Sequence, residues 1–261
     1  MADRVVPGPV ESTAAVREAV CIHTRKIYQT CRDKDCIEDL RVYLTESSRL
    51  ALEGAFGVRP KSAELILAQP AVSEVSFNRG YYTVDVTYYY RIVGETLTDG
   101  APIIGLSVFD KRVLLFGSEA GAKVFSSVDD PMIVPSAGLP IAMVETVDPI
   151  PLRMNLVETE IPGETEQRSI PQTVLDAFDE SLVFEAENRK VYVTLGQFSI
   201  IRLERDTQLL IPAYDYCVPD QSCNGSGEED PCAMFSKIQF PLDEFFPPDS
   251  IQEADTYRSF K

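Results

Sequence analysis

The positions with the most chemistry lie in CIHTRKIYQTCRDKDC, residues 21–36, which holds Cys21, Cys31, Cys36 and His23, the only histidine in the chain. A second trio, Cys217, Cys223 and Cys232, sits in CVPDQSCNGSGEEDPC. Thiols with an imidazole can hold a metal, act as a nucleophile with its base, or form covalent cross-links. The spacings are C-x9-C-x4-C and C-x5-C-x8-C, without the two-residue knuckle common in zinc sites. Cys21, His23, Cys31 and Cys36 still make up an alternative three-sulfur, one-imidazole set for zinc. On an extended strand Cys21 and His23 share a face about 6–7 Å apart. That is too far for thiol activation, and no third group is recognisable to orient the imidazole. No catalytic residue is therefore assigned.

The charge around the two clusters differs in sign. Residues 21–36 carry Arg25, Lys26, Arg32 and Lys34 against Asp33 and Asp35, a balance of +2. Residues 215–232 carry Asp215, Asp220, Glu228, Glu229 and Asp230 with no base, a balance of −5. Basic neighbours lower a thiol pKa and make it readier to react, whereas acidic neighbours do the reverse. Opposite charge also draws surfaces together. The clusters are thus expected to meet and form disulfides, within one chain or between chains. Three thiols per cluster leave some for intermolecular bonds. Ordinary reduced thiols, and weak calcium binding by the acidic 220–230 loop, are the blander alternatives.

A sizeable frame must hold these residues. A chain of 261 residues can bury a core without staples, and 44 % apolar with 9 % aromatic is a globular composition. The 24 basic and 41 acidic residues give −17. That surface repels phosphate backbones and anionic lipid, which argues against nucleic acid or membrane as main partner. MADRVVPGPVESTAAVREAV has no basic region followed by an apolar stretch, so no secretory signal is expected and synthesis is placed in the cytoplasm. No run approaches the roughly 18 apolar residues of a membrane helix. The sequence carries no glycine-rich phosphate loop, G-x-S-x-G, H-E-x-x-H or EF-hand pattern. The chain is read as non-enzymatic, with no cofactor.

The elements that position the cysteines read as β. In GYYTVDVTYYYRIVGE, Tyr82, Val84, Val86, Tyr88, Tyr90 and Ile92 alternate with Tyr81, Thr83, Asp85, Thr87, Tyr89 and Arg91. This is the pattern of a long half-buried strand. Tyr81 and Tyr89, on its outer face, are candidate subunit contacts, since tyrosine favours interfaces. ESSRLALEGAF suits a short helix ending at Gly57. SAELILAQPAVSEVSF reads as two strands broken at Gln69-Pro70, and PIIGLSVFDKRVLLFG as a hairpin with Asp110-Lys111 near its tip. LPIAMVETVDPIPLRMNLVE gives two strands with proline breaks, and TVLDAFD one helical turn. In KVYVTLGQFSIIRLERD the apolar positions move from odd (Val191, Val193, Leu195) to even (Phe198, Ile200), which predicts a bulge or bend at Gly196. TQLLIPAYDYCVP is one further strand. The polar neighbours of the cysteines place several of them on loops.

The expected fold is mainly β, with antiparallel sandwich-like sheets and a short N-terminal helical element. Residues 1–20 form a flexible arm, and 21–160 a β lobe with the first cysteine cluster. Residues 161–172 form a loop or junction, 173–245 a second β lobe with the second cluster, and 246–261 a C-terminal tail.

AVCIHTRKIYQTCRDKDCIEDLRVYLTE, VRPKSAEL, FNRGYYTVDVTYYYR and LGQFSIIRLERDTQLLIPAYDYCVPDQSC resemble a group of cysteine-containing proteins of spore-forming clostridia, over residues 19–240. That group is similar to the cysteine-rich coat and exosporium proteins of clostridial spores, some of which assemble into two-dimensional lattices. The resemblance implies no catalytic residues. It implies a structural protein that self-associates as a homo-oligomer or lattice at the spore surface, with other spore-surface proteins as further partners. Cys21, Cys31, Cys36, Cys217, Cys223 and Cys232 carry over as cross-link positions. Lattice-forming relatives are often much richer in cysteine, so six thiols imply partial cross-linking. The alternatives are the zinc module and a ligand-binding β domain.

Overall fold

The structure, a computed structural model, describes residues 18–119, 138–158, 169–184 and 188–213. The chain divides into two compact units, Arg25–Asp206 and Met1–Thr24 with Thr207–Lys261. Of the latter, only 18–24 and 207–213 are described. The described residues are mainly β: β1 (Glu18–Leu44), β2 (Val58–Glu74), β3 (Tyr81–Thr96), β4 (Pro102–Phe116), β5 (Ile141–Thr146), β6 (Ile150–Glu158) and β7 (Arg189–Ala213). Two short helices, α1 (Glu46–Ala51) and α2 (Gln172–Leu175), punctuate them.

One sheet runs β2-β3-β4-β1-β7-β5, with β6 pairing β7 beside β5. The pairs β1–β4, β2–β3, β3–β4, β5–β7 and β6–β7 are antiparallel. Within Arg25–Asp206 the two ends of this order come together. β2 packs on β5 and β6, and the Leu65 amide donates to Asp148 Oδ1 at 3.0 Å. A Cβ added at Gly94 would lie 2.8 Å from the Arg59 carbonyl oxygen of β2 and 2.6 Å from Met154 Sδ of β6, so glycine relieves a backbone clash where these strands approach. The outcome is an antiparallel, nearly barrel-shaped sheet, and the described residues do not establish the expected stacked sheets.

The β3 alternation holds: Tyr82, Val84, Val86, Tyr88, Tyr90 and Ile92 are all buried inside, with Leu44, Ile103, Val191, Val193, Leu195, Ile201 and Leu203 from neighbouring strands. Four other expectations change. SAELILAQPAVSEVSF is one strand, β2, because it lies at one end of the sheet order, where Pro60 and Pro70 need donate no second ladder bond. PIIGLSVFDKRVLLFG is one strand, β4, paired along its length with β3, and Asp110-Lys111 is mid-strand. β7 absorbs TQLLIPA and keeps odd residues buried through Gly196, so no parity change occurs there. Its inward positions are Gln197 and Ser199, both polar, while Phe198 and Ile200 point out. Cys21, Cys31 and Cys36 lie on β1, not on loops.

Candidate functional site

β1 carries the candidate residues, and one backbone device sets which way they face. Asp39 has φ +50°, a left-handed conformation that aspartate tolerates better than most side chains. Before it, Cys31 and Ile37 pack on the interior; after it, Leu40, Val42 and Leu44 do. The parity of β1 therefore switches from odd to even at Asp39, as a bulge would make it. Gly105 sits opposite Leu44, where an added Cβ would lie 2.5 Å from the Tyr43 carbonyl oxygen.

An ion cluster sits on the first half of β1. Lys111 Nζ, 8 % exposed, donates to Asp33 Oδ2 at 2.8 Å and to Asp35 Oδ2. Burial pulls the Lys111 ammonium down, but these two carboxylates outweigh it and hold it above the ordinary lysine value. Lys111 and the Lys34 amide hold Asp33 below the ordinary carboxylate value. Beside this cluster Tyr88 stacks on Tyr90 and on Phe109, ring centroids 6.1 Å apart in each case. The Tyr88 hydroxyl faces Ser199 without reaching hydrogen-bond geometry, and burial raises the pKa of both tyrosines.

The thiols differ among themselves. Cys21 and Cys36 are exposed, Cys31 half-buried, and all three are free. Burial pushes the Cys31 thiol up, outweighing the Ile201 backbone hydrogen bond and the Lys111 charge that pull it down. The expectation that basic neighbours activate this cluster is thus reversed at Cys31, because removal from water costs the thiolate more than Lys111 returns. Five residues of strand put Cys31 and Cys36 about 17 Å apart, far beyond the roughly 7 Å Cα limit of a disulfide. The strand strings out Cys21, His23, Cys31 and Cys36 instead of gathering them. Among the described residues no group of three or more His, Cys, Asp or Glu could hold a metal. Cys217, Cys223, Cys232 and the 220–230 loop lie outside the described residues.

The outer face divides. Around Tyr43, Tyr89, Leu106 and Val108 it is covered by α2 and its flanks, through Val174, Phe178 and Leu182. Tyr89 is 4 % exposed, its ring packed in the cluster with Val174 and Phe178. Tyr81 stays half-buried, its ring edge-on to Phe116 at 5.4 Å, with Tyr28 at 6.3 Å on the same Phe116. Leu114 and Phe116 beside it are exposed. A second bare area is a groove of about 590 Å³ over β7, lined by Arg32, Lys34, Glu145, Val147, Phe198 and Ile200 among others.

Sequence reasoning missed Lys111, hidden in an apparent turn, and Arg205. Arg205 is buried and donates to the carbonyls of Gly117 and Gly138, each at 2.5 Å, to Ser118 at 3.1 Å and to Tyr82 Oη at 2.7 Å. It ties the ends of β3, β4 and β7 together. An arginine in a strand ending LERD gives no sequence signal for that.

No family model and no solved structure matches the chain. Over 70 residues, 26 % of its length, the chain is 40 % identical to Exosporium protein A of Clostridium sporogenes (strain ATCC 15579). The match spans 20 % of that protein. The chain is thus similar to a clostridial exosporium protein over about a quarter of its length.

Proposed function

We propose that the chain is a non-enzymatic structural protein of the spore surface that self-associates through bare apolar faces and is then fixed by disulfides. The observation that carries this reading is the similarity to Exosporium protein A. The geometry supplies a means. Leu114 and Phe116, with Tyr81 and Tyr28 on the same ring, form an apolar outer area of the kind that marks interaction sites. Cys21 and Cys36 stand exposed on β1, and Cys36 cannot reach Cys31. Their partners are thiols of the second cluster or of other copies. Each bond joins two thiols as one S–S, with two protons and two electrons passing to an oxidant such as molecular oxygen once the surroundings become oxidising.

The test is electron microscopy and sedimentation of the full chain with and without reductant, beside non-reducing gels. Expected are oligomers in reductant and intermolecular disulfides after oxidation. A chain that stays monomeric in both states, with every thiol free after oxidation, overturns the reading.

A further inference from the structure

We propose that Lys111 and Asp35 join in an isopeptide bond that ties β4 to β1. The bond lies within one chain and is independent of the self-association proposed above.

The reacting groups are already in contact. Lys111 Nζ touches Asp35 Oδ2 and lies 2.8 Å from Asp33 Oδ2. Groups held at near-attack distance, about 3–3.5 Å, react as though present at about 10⁵–10⁸ M. The sheet supplies the hold. The β1–β4 ladder is confined to Tyr43–Leu106 and Leu44–Gly105, so at Lys111 the two strands are joined through side chains. The lysine stem has apolar walls: Val86 stands opposite it on β3, and Phe109 and Val113 flank it on β4. Only 8 % of the Lys111 side chain and 22 % of Asp35 is exposed. Keeping an ion pair in such a place is costly, whereas a neutral amide carries no charge to desolvate. The Tyr88 hydroxyl is buried without a partner and feels the charges of Lys111 and Asp35. It is a spare hydrogen-bond donor for the oxyanion that the attack creates.

The two carboxylates take different parts. Asp33 is the more exposed, and Lys111 and the Lys34 amide hold it ionised, so it serves as the base. Asp35, the more buried, is the group attacked. Asp33 accepts one ammonium proton, and the freed amine forms the Nζ–Cγ bond with Asp35. The Cγ–Oδ2 bond then breaks. The oxygen leaves as water, with the proton held by Asp33 and a second from the nitrogen. One ammonium and one carboxylate become one amide and one water, and no oxidant or reductant takes part. The ion cluster described above is the state before reaction. The bond spans 76 positions of sequence and, unlike a disulfide, withstands reductant.

The test is mass spectrometry of the full chain in reductant, after prolonged incubation in the folded state. Expected is a parent chain lighter than its sequence mass by one water. Its tryptic digest should contain residues 92–112 joined to residues 35–41. Lys111→Arg keeps the positive charge, but a guanidinium is not deprotonated to attack, so this variant should keep its full sequence mass. Asp33→Ala removes the base, which is worth about 10²–10⁴-fold, and should be isolated largely unreacted. Circular dichroism checks that both variants fold. A parent chain that stays at its full sequence mass overturns the bond. So does a loss of water that persists in Lys111→Arg, or a branch at a residue other than Asp35. Asp33→Ala reacting as fast as the parent overturns the part given to Asp33.

Discussion

Strand β4 sends two apolar stretches outward, and they meet different fates. Ile104, Leu106 and Val108 lie under α2 and its flanks, and Leu106 is fully buried. Further along the same face, Leu114 is 54 % exposed and Phe116 38 %. The residue chemistry is the same and so is the side of the sheet. What differs is cover: one stretch is closed over by the chain's own Val174 and Phe178, and the other is not. The covered stretch contributes to folding, at roughly 25 cal/mol for each Å² removed from water. The bare stretch keeps that free energy available for another molecule. The Phe198–Ile200 groove floor belongs with the bare stretch.

The largest effect separates the two stretches. Leu106→Ala should lower unfolding free energy by about 2–5 kcal/mol, the usual range for a buried leucine. Leu114→Ala should cost no more than about 0.5 kcal/mol, yet weaken association of the reduced protein. Thermal and urea unfolding of both variants, with sedimentation, measures this. Equal destabilisation by the two would mean that the second stretch is covered after all.

The next effect concerns the ion cluster inside the same strand. Lys111→Ala leaves Asp33 and Asp35 without their cation. Breaking a buried pair costs about 3–5 kcal/mol, but Asp33 is 48 % exposed, so about 1–3 kcal/mol is expected here after allowing for solvent screening. The pH dependence has a definite sign. Asp33 is depressed in the folded state, so its contribution is complete above the ordinary value of 3.8 and is lost as pH falls through its lower folded value. Lys111 is raised, so its contribution is complete below 10.5 and is lost as pH climbs through its higher folded value. The stability gap between parent and Lys111→Ala should be flat between those limits and shrink outside them. A gap that varies steadily across neutral pH would place the charges elsewhere.

Where the sequence was legible, one face was apolar and the other was not. β3 is the case in point: its even residues from Tyr82 to Ile92 are all apolar or tyrosine and all of them are inside. The two strands around Pro149 and Pro151 and the helical turn at 172–175 were legible for a similar reason, because breakers mark them. The failures share one cause. Lys111, Gln197 and Ser199 put polar groups inside the barrel, while Phe198 and Ile200 put apolar groups outside, so pattern reading inverted the faces of β7 and broke β4 at its lysine. A buried lysine is tolerable only because β1 brings Asp33 and Asp35 to it from 76 and more residues away, a pairing that local sequence cannot announce. Cys21, Cys31 and Cys36 were placed on loops for the same reason. Their polar neighbours are strand residues facing either water or that ion cluster.

The smallest effect tests covered against bare at the level of single sulfur atoms. Cys31 packs on the barrel interior and Cys36 is exposed, five positions along one strand. Burial holds the Cys31 thiol in its protonated form to higher pH than usual, and Lys111 only partly offsets this. The thiolate is the species that reacts. Limited alkylation near pH 8, followed by mass spectrometry, should label Cys36 about tenfold faster than Cys31, with Cys31 catching up as pH rises. In oxidised samples Cys36→Ser should remove more intermolecular disulfide than Cys31→Ser, and neither should shift the unfolding midpoint by more than a few degrees. Equal labelling rates at pH 8 would mean that water enters the barrel beside Lys111. The distinction between a closed interior and an open outer face would then fail at the strand that carries the thiols.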